Sequence, residues 1–515
     1  MSAAVLALGI APPALADVPT QDGLAAYLAA RAVDAGGGGA SALADYRAAF
    51  DAAPSNPVVA IHTYRQALAA GDVALARRAA AVLAAAKLAP FDAGLLPLAD
   101  AARAGDRPAA LKALSGLQAN RLSLLVPALR VWLADASTAT PTKDPTARRL
   151  ANESTALGLL VDGKMGEGLA AVRALSGAAP AVRVAAAELL LGRGRDTDAD
   201  ALLAGDAFAL AAARAGATAT PDLAWGVSRL LIRVAEDLDG DRPSTTAVAL
   251  ARAALVADPG FQRAHLVLAD QLARTPNTGY AATELDAIPP GSPLTRIAAA
   301  RRVALLVAQD RTPAALALAR SLAQDDDARP LDRARYADLL FAEHRPADAL
   351  PLYREVLATD GARDSWAAWL RYGGALDEAG RWSDSEKALR RALALAPDEP
   401  QVLNYLGYTL ADRRLDLAGG TAMLEKAHHL APDDAAVADS LGWAYFRAGD
   451  TGRALPLIES ASVALPADAE VADHLGDIYW ALGRRYEARY AWAAALLTAE
   501  PRARIAINAK IDRGA

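Results

Sequence analysis

Cysteine is absent from all 515 residues, which excludes disulfides, thiolate metal sites and a lipid-attachment cysteine. Aromatic residues are scarce at 5%, although hydrophobic residues reach 53%. About half of that apolar count is alanine, which suits a stack of thin helices and gives no sign of a membrane protein. No stretch after the first twenty residues reaches the ~18 apolar residues that span a bilayer as a helix. A basic excess is missing too: 54 Lys and Arg against 60 Asp and Glu leave a formal charge of −6. That balance argues against nucleic acid, whose phosphates demand concentrated Lys and Arg.

The usual signatures of chemistry are also lacking. None of the histidines His62, His265, His344, His428, His429 and His474 stands in a zinc-like pattern or an H-E-x-x-H motif. His474 and Asp477, three residues apart beside Asp473, could supply two metal ligands, but a solvated hydrogen-bonded pair is the commoner meaning of such spacing. No phosphate-binding loop occurs, since the glycine run at 36–39 has no following lysine. No G-x-S-x-G elbow is present, and neither Ser365 nor Ser440 has a base partner in sequence. The sequence therefore predicts no catalytic residues, no metal and no cofactor.

What the chain does have is a beat. Gly373, Gly407, Gly442 and Gly476 are spaced 34, 35 and 34 apart, and Ala392, Ala427, Ala461, Ala495 and Pro397, Pro432, Pro466, Pro501 keep the same step. A period of this size means stacked helix pairs. The glycines predict close helix approach, the alanines a crossing point, and the prolines the end of each second helix. Gly380, Gly449 and Gly483, seven residues after a packing glycine, are placed for left-handed caps, and Asp434 and Asp468 for N-caps. Weaker units begin near Pro330, Arg296, Phe261 and Ser228, with Ala349, Ala247 and Ala254 at small-residue positions and Ala337 replacing a glycine. Near the N-terminus Gly71 and Gly105, and Ala76 and Ala110, repeat at 34. The Thr- and Pro-rich runs 136–148 and 216–222 read as breaks.

A small residue at repeat position 8, a large apolar one near 11, Ala near 20 and 27 and Pro at 32 resemble the tetratricopeptide repeat. That resemblance implies an all-α fold: an α-solenoid of stacked helix-turn-helix repeats in a right-handed superhelix. The expected organisation is a signal peptide at 1–16, degenerate repeats at 17–135, an irregular linker with divergent helical pairs at 136–220, degenerate repeats at 221–365, well-formed repeats at 366–502 and a capping tail at 503–515. The leader expectation rests on the apolar run Val5–Ile10 and on Ala14-Leu15-Ala16 before Asp17, although the usual positive start is missing. It predicts a periplasmic protein; without a leader the location would be cytoplasmic.

In this family the first helix of each unit lines a concave groove. Counting from the packing glycines places Asn404 and Tyr408 there from one unit, Asp439, Trp443 and Phe446 from the next, and Asp473, Asp477 and Trp480 from the last. Aromatic anchors beside polar groups are what interface hot spots are made of; the alternative is that Trp443 and Tyr408 fill the space between helices with a wet edge. Family members that clamp a C-terminal carboxylate carry Lys, Asn and Arg at these positions. Asn404, Asp439 and Asp473 replace the first lysine, so the groove should prefer a neutral or basic extended segment or a partner helix.

The phrases "LNYLGYTLADRR", "VADSLGWAYFRAGD" and "VADHLGDIYWALGRRYEARYAW" look like C-terminal repeats of Gram-negative periplasmic and outer-membrane tetratricopeptide adaptors of carboxyl-terminal processing proteases. The resemblance implies a non-enzymatic envelope scaffold whose partner is such a protease or a cell-wall hydrolase. The alternatives are a subunit of an envelope export or polysaccharide machine and, from another class, an enzyme with its site in residues 136–220.

Overall fold

The computed structural model describes residues 21–514 apart from 36–38, 119, 135–141, 176–178, 239, 241–242 and 276–277. The leader expectation, most of the glycine run at 36–39 and the start of the run 136–148 lie outside the described residues. Thirty α-helices and no strand form among the described residues. The fold is the all-α stack of helix pairs that the beat predicts. Two compact units divide the chain, residues 1–318 and 319–515.

In the C-terminal unit four regular repeats follow one another: Trp366–Glu378 with Trp382–Leu395, Pro400–Asp412 with Leu417–Leu430, Ala435–Arg447 with Thr451–Ala464, and Ala469–Ala481 with Arg485–Thr498. The pair Pro330–Ala342 and Pro346–Leu357 precedes them, and Pro501–Arg513 closes the unit. Each pair packs principally on itself and on the pairs before and after it. The packing glycines explain why: a β-carbon on Gly407 would meet the Gly420 carbonyl at 2.9 Å, and one on Gly442 would meet Ile458 at 2.6 Å. The alanine column Ala392, Ala427, Ala461 and Ala495 is buried at the crossings.

Second helices stop at Leu395, Leu430 and Ala464, two residues before Pro397, Pro432 and Pro466. Pro501 departs from this pattern, because it opens the terminal helix at its first turn, where its missing N–H costs nothing. Asp434 and Asp468 each accept two backbone N–H groups as N-caps. The left-handed position seven residues after the small residue is filled by Gly380, Gly449 and Gly483, and by Arg414 and His344 in the units that lack glycine there.

The N-terminal unit also consists of helix pairs, and Ala76, Ala110, Ala247 and Ala254 are fully buried in it. Its packing, however, is not confined to neighbours in sequence. Helix Thr245–Ala257 lies against Pro57–Ala70 and Leu95–Arg103, and Thr278–Asp286 lies against Gly39–Ala52. The reason is compositional: "VALARAALVA" is apolar on every face, and such a helix is stable only when covered all round. It is buried from Ala247 to Ala257. Arg252 interrupts that apolar surface and is satisfied within it, its guanidinium donating to the Leu68 and Ala69 carbonyls at 2.8 and 2.9 Å and pairing with Glu284 at 2.8 Å.

The expected break at 136–148 ends early, since a helix starts at Pro145 with Asp144 as its N-cap. This middle region holds the most enclosed carboxyl of the unit. Glu188 is fully buried and accepts from Arg229 at 2.8 Å and Trp225 at 3.0 Å. Burial outweighs these partners and raises its pKa. The nearby cavity bounded by Trp132, Glu153, Arg229 and Arg233 has about 20 Å³, room for one water molecule.

Candidate partner-binding groove

The first helices of the C-terminal repeats lie side by side, and a hydrogen-bonded wall runs across them. On helix Pro400–Asp412 the residues Leu403, Leu406, Gly407 and Leu410 turn into the repeat core, which leaves Asn404 and Tyr408, four residues apart, on a second stripe. Asn404 is half-buried, and its Oδ1 is shielded from water with no hydrogen-bond donor among the described residues. Tyr408 reaches two repeats along the array and donates its hydroxyl to Glu470. Burial and the Glu470 carboxylate push its pKa far up, so it remains a donor.

His474 is the hub of the wall. Its Nδ1 donates to both carboxylate oxygens of Asp439 at 3.1 Å. Its ring stacks on Trp443, with centroids 4.0 Å apart and 15° between planes. Trp443 donates Nε1 to Asp412 at 2.9 Å, packs against Phe446, and is covered by Arg447, which also donates to the Asp412 carbonyl at 2.6 Å. Asp439 and Trp443 are only 6% and 7% exposed.

A second cluster closes the array. Lys510 of the terminal helix donates to Asp473 and Asp477 at 2.8 Å each, and Trp492 donates Nε1 to Asp477 at 3.1 Å. Trp480 packs against Trp492 and is flanked by Arg485 and Arg489. Burial raises the Asp477 pKa against the pull of Lys510. The Lys510 pKa is also raised: burial opposes the shift, and the two carboxylates overcome it.

The eight residues singled out from sequence therefore do not form one open ladder. Tyr408, Asp439, Trp443 and Phe446 gather around His474, while Asp473, Asp477 and Trp480 form a cluster with Lys510 and Trp492. Asn404 belongs to neither. The buried pair Asp439 and Trp443 is engaged inside the wall, because a buried carboxylate or indole N–H needs a partner. Asp473 and Asp477 share Lys510 and are not offered as free acids. Sequence reasoning set His474 beside Asp477 on one helix; the structure pairs it across repeats, 35 residues from Asp439. Asp412, 31 residues before Trp443, and Lys510, 33 after Asp477, were missed, although their distances lie close to the repeat period. The N-terminal unit uses the same device: Arg263 bonds Glu236 at 2.6 Å and Arg301 bonds Asp270 at 2.7 Å across consecutive first helices.

His474 gives the wall a pH dependence. Burial alone would lower its pKa, but the hydrogen bond and charge of Asp439, with Glu470 and Asp473, raise it above the ordinary value. Its stabilisation is thus complete below the unfolded pKa of about 6.5 and is lost as pH rises through the higher folded value. In a pH series of thermal midpoints, His474→Gln should be most destabilising below that pH and converge on the parent above it. A deficit that is constant or grows with pH would contradict this assignment.

Residues 340–406 match the family model described as tetratricopeptide repeat. A 64-residue segment is 48% identical to the TPR repeat-containing protein PA4667 of Pseudomonas aeruginosa, covering 12% of this chain and 11% of that protein, so the chain spans only about a tenth of this relative. A tetratricopeptide repeat protein from Parabacteroides merdae aligns over 49% of this chain and 97% of its own length, at 15% identity and a TM-score of 0.41. PilW, a widely conserved type IV pilus biogenesis factor, aligns over 36% and 85%, at 17% identity and a TM-score of 0.32. Likenesses of that size identify no function. The family match and the register of glycine, alanine and proline agree that residues 340–406 carry tetratricopeptide repeats.

Proposed function

We propose that the chain is a non-enzymatic scaffold that captures a protein partner along the first helices of its C-terminal repeats. Tetratricopeptide proteins generally mediate protein–protein interactions. The observation that carries the reading is Asn404: a half-buried carboxamide whose oxygen has no donor among the described residues, one helical turn from Tyr408 and beside the His474 wall. A carboxamide can pair with both the N–H and the C=O of an extended peptide. The exposed carboxylate of Glu470 favours a neutral or basic segment. The wall is pre-organised by its own hydrogen bonds, which limits the ordering cost of capture.

Our narrower reading is an adaptor of the bacterial cell envelope, in the periplasm, whose partner is a carboxyl-terminal processing protease or a cell-wall hydrolase. It rests on the likeness of residues 366–502 to adaptors of that group. The test is capture from a host extract by immobilised full-length chain. Asn404→Ala with Phe446→Ala should reduce recovery of the partner about tenfold or more, since a central anchor carries ~2 kcal/mol, while the thermal midpoint falls only modestly. Ala461→Leu, which overpacks a buried crossing, is the stability control at roughly 1–3 kcal/mol. Unchanged capture by the groove pair would sink the reading.

A further inference from the structure

The five most exposed large apolar side chains among the described residues, Val463, Tyr486, Tyr490, Leu497 and Ile505, all lie in the last part of the chain. Three of them share one stripe of helix Arg485–Thr498, because residues 486, 490 and 497 are separated by four and seven positions. Val463, 34 residues before Leu497, holds the matching position on the preceding second helix. Between these two helices lies a cleft of about 500 Å³, floored by Ala472, Leu475 and Tyr479, with Tyr486 and Tyr490 on its rim at 84% and 74% exposure.

The fold does not require these tyrosines. At the same register the two preceding repeats carry Gly452 and Pro456, and Ala418 and Ala422, and their helices form equally well. Tyrosine pairs exposed to this degree present about 250–400 Å² of ring and stem. With Val463 and Leu497 the face reaches the size of the largest apolar patches on monomers, about 300–600 Å², and with its polar rim it approaches the ~800 Å² that each partner buries in a standard interface.

The rim chemistry selects the occupant. Arg484 sits between Glu487 at 3.1 Å and Glu459 at 3.7 Å, and Glu487 lines the cleft, so both signs stand at the edge of the apolar centre. A patch of one sign would repel its own copy; this one is complementary to itself. We propose that this face is a self-association surface, on which two copies of the chain pack their Tyr486–Tyr490–Leu497 stripes together about a twofold axis. The groove residues stay outside such a contact, because none of Asn404, Tyr408, Asp439, Trp443, Asp473 and Asp477 lines the cleft.

Sedimentation equilibrium of the full chain across about 1–100 μM covers the range in which interfaces of this size begin to associate. The expected result is a concentration-dependent rise to twice the chain mass. Tyr486→Asp with Tyr490→Asp should hold the protein at the single-chain mass throughout, with helicity and thermal midpoint unchanged because both side chains are exposed. Asn404→Ala with Phe446→Ala should leave the mass curve untouched, which separates this surface from the groove. A parent protein that stays monomeric over the whole range, or a dimer indifferent to the double aspartate variant, overturns the proposal; so does a monomer whose stripe captures a different protein.

Discussion

Arg252→Ala should destabilise the N-terminal unit by about 3–5 kcal/mol, the usual effect of removing one partner of a buried charge pair. The substitution leaves the Glu284 carboxylate buried with His265, at 2.7 Å, as its remaining partner among the described residues, and removes the guanidinium donors from the Leu68 and Ala69 carbonyls, of which Leu68 keeps the Gly71 N–H at 3.3 Å. Those carbonyls close the C-terminus of helix Pro57–Ala70, which ends in left-handed Gly71 directly beneath the guanidinium. Arg252 therefore ties together segments more than 180 residues apart. Chemical denaturation should show the loss as one cooperative event in which helices Pro57–Ala70 and Thr245–Ala257 lose exchange protection together. Glu284→Gln should cost less alone, and a double-mutant cycle should show strong coupling. A loss below about 1 kcal/mol, within the range of ordinary substitutions, would mean that Arg252 is solvated and the cross-packing is weak.

Trp492→Ala should cost about 3–5 kcal/mol as well, but with a different consequence. Trp492 is the largest fully buried side chain described, and it fits only because position 476 is glycine: a β-carbon there would collide with its indole. Its truncation opens a cavity beside Trp480 and removes the indole donor from Asp477, which keeps Lys510. In an array whose repeats pack chiefly on their neighbours, stability is close to a sum of local terms. The last repeat and the helix Pro501–Arg513 should therefore melt ahead of the rest, with the N-terminal unit untouched. Hydrogen exchange resolved by segment would show this, and uniform destabilisation of the whole chain would refute it.

These two effects differ because the two units follow different rules, and only one rule is legible in the sequence. The periodic glycine, alanine and proline mark spacings within a repeat, so the C-terminal architecture can be read from them: Gly442 against Ile458, Ala461 at its crossing, Asp468 at its cap. Packing between distant pairs leaves no periodic trace. An arginine inside "VALARAALVA" reads as a solvated charge until its carbonyl partners, 184 and 183 residues away, are seen. Asn404 and Tyr408 were legible as a stripe because the helix period places them together. The wall was not, because pairing His474 with Asp439 and Trp443 with Asp412 depends on the sliding of one helix past the next, which the sequence of either helix leaves open. Lys510 was invisible as a groove partner for a similar reason: it lies in a terminal helix whose Pro501 start shifts it out of the repeat register.

The central claim is that a protein partner lies on the first helices of the C-terminal repeats, against the His474 wall. Hydrogen exchange of the full chain with and without its captured partner tests this most directly. The account predicts added protection in Pro400–Asp412, Ala435–Arg447 and Ala469–Ala481, and none in Leu417–Leu430 or Thr451–Ala464. Protection confined to the second helices, or to the N-terminal unit, would contradict it.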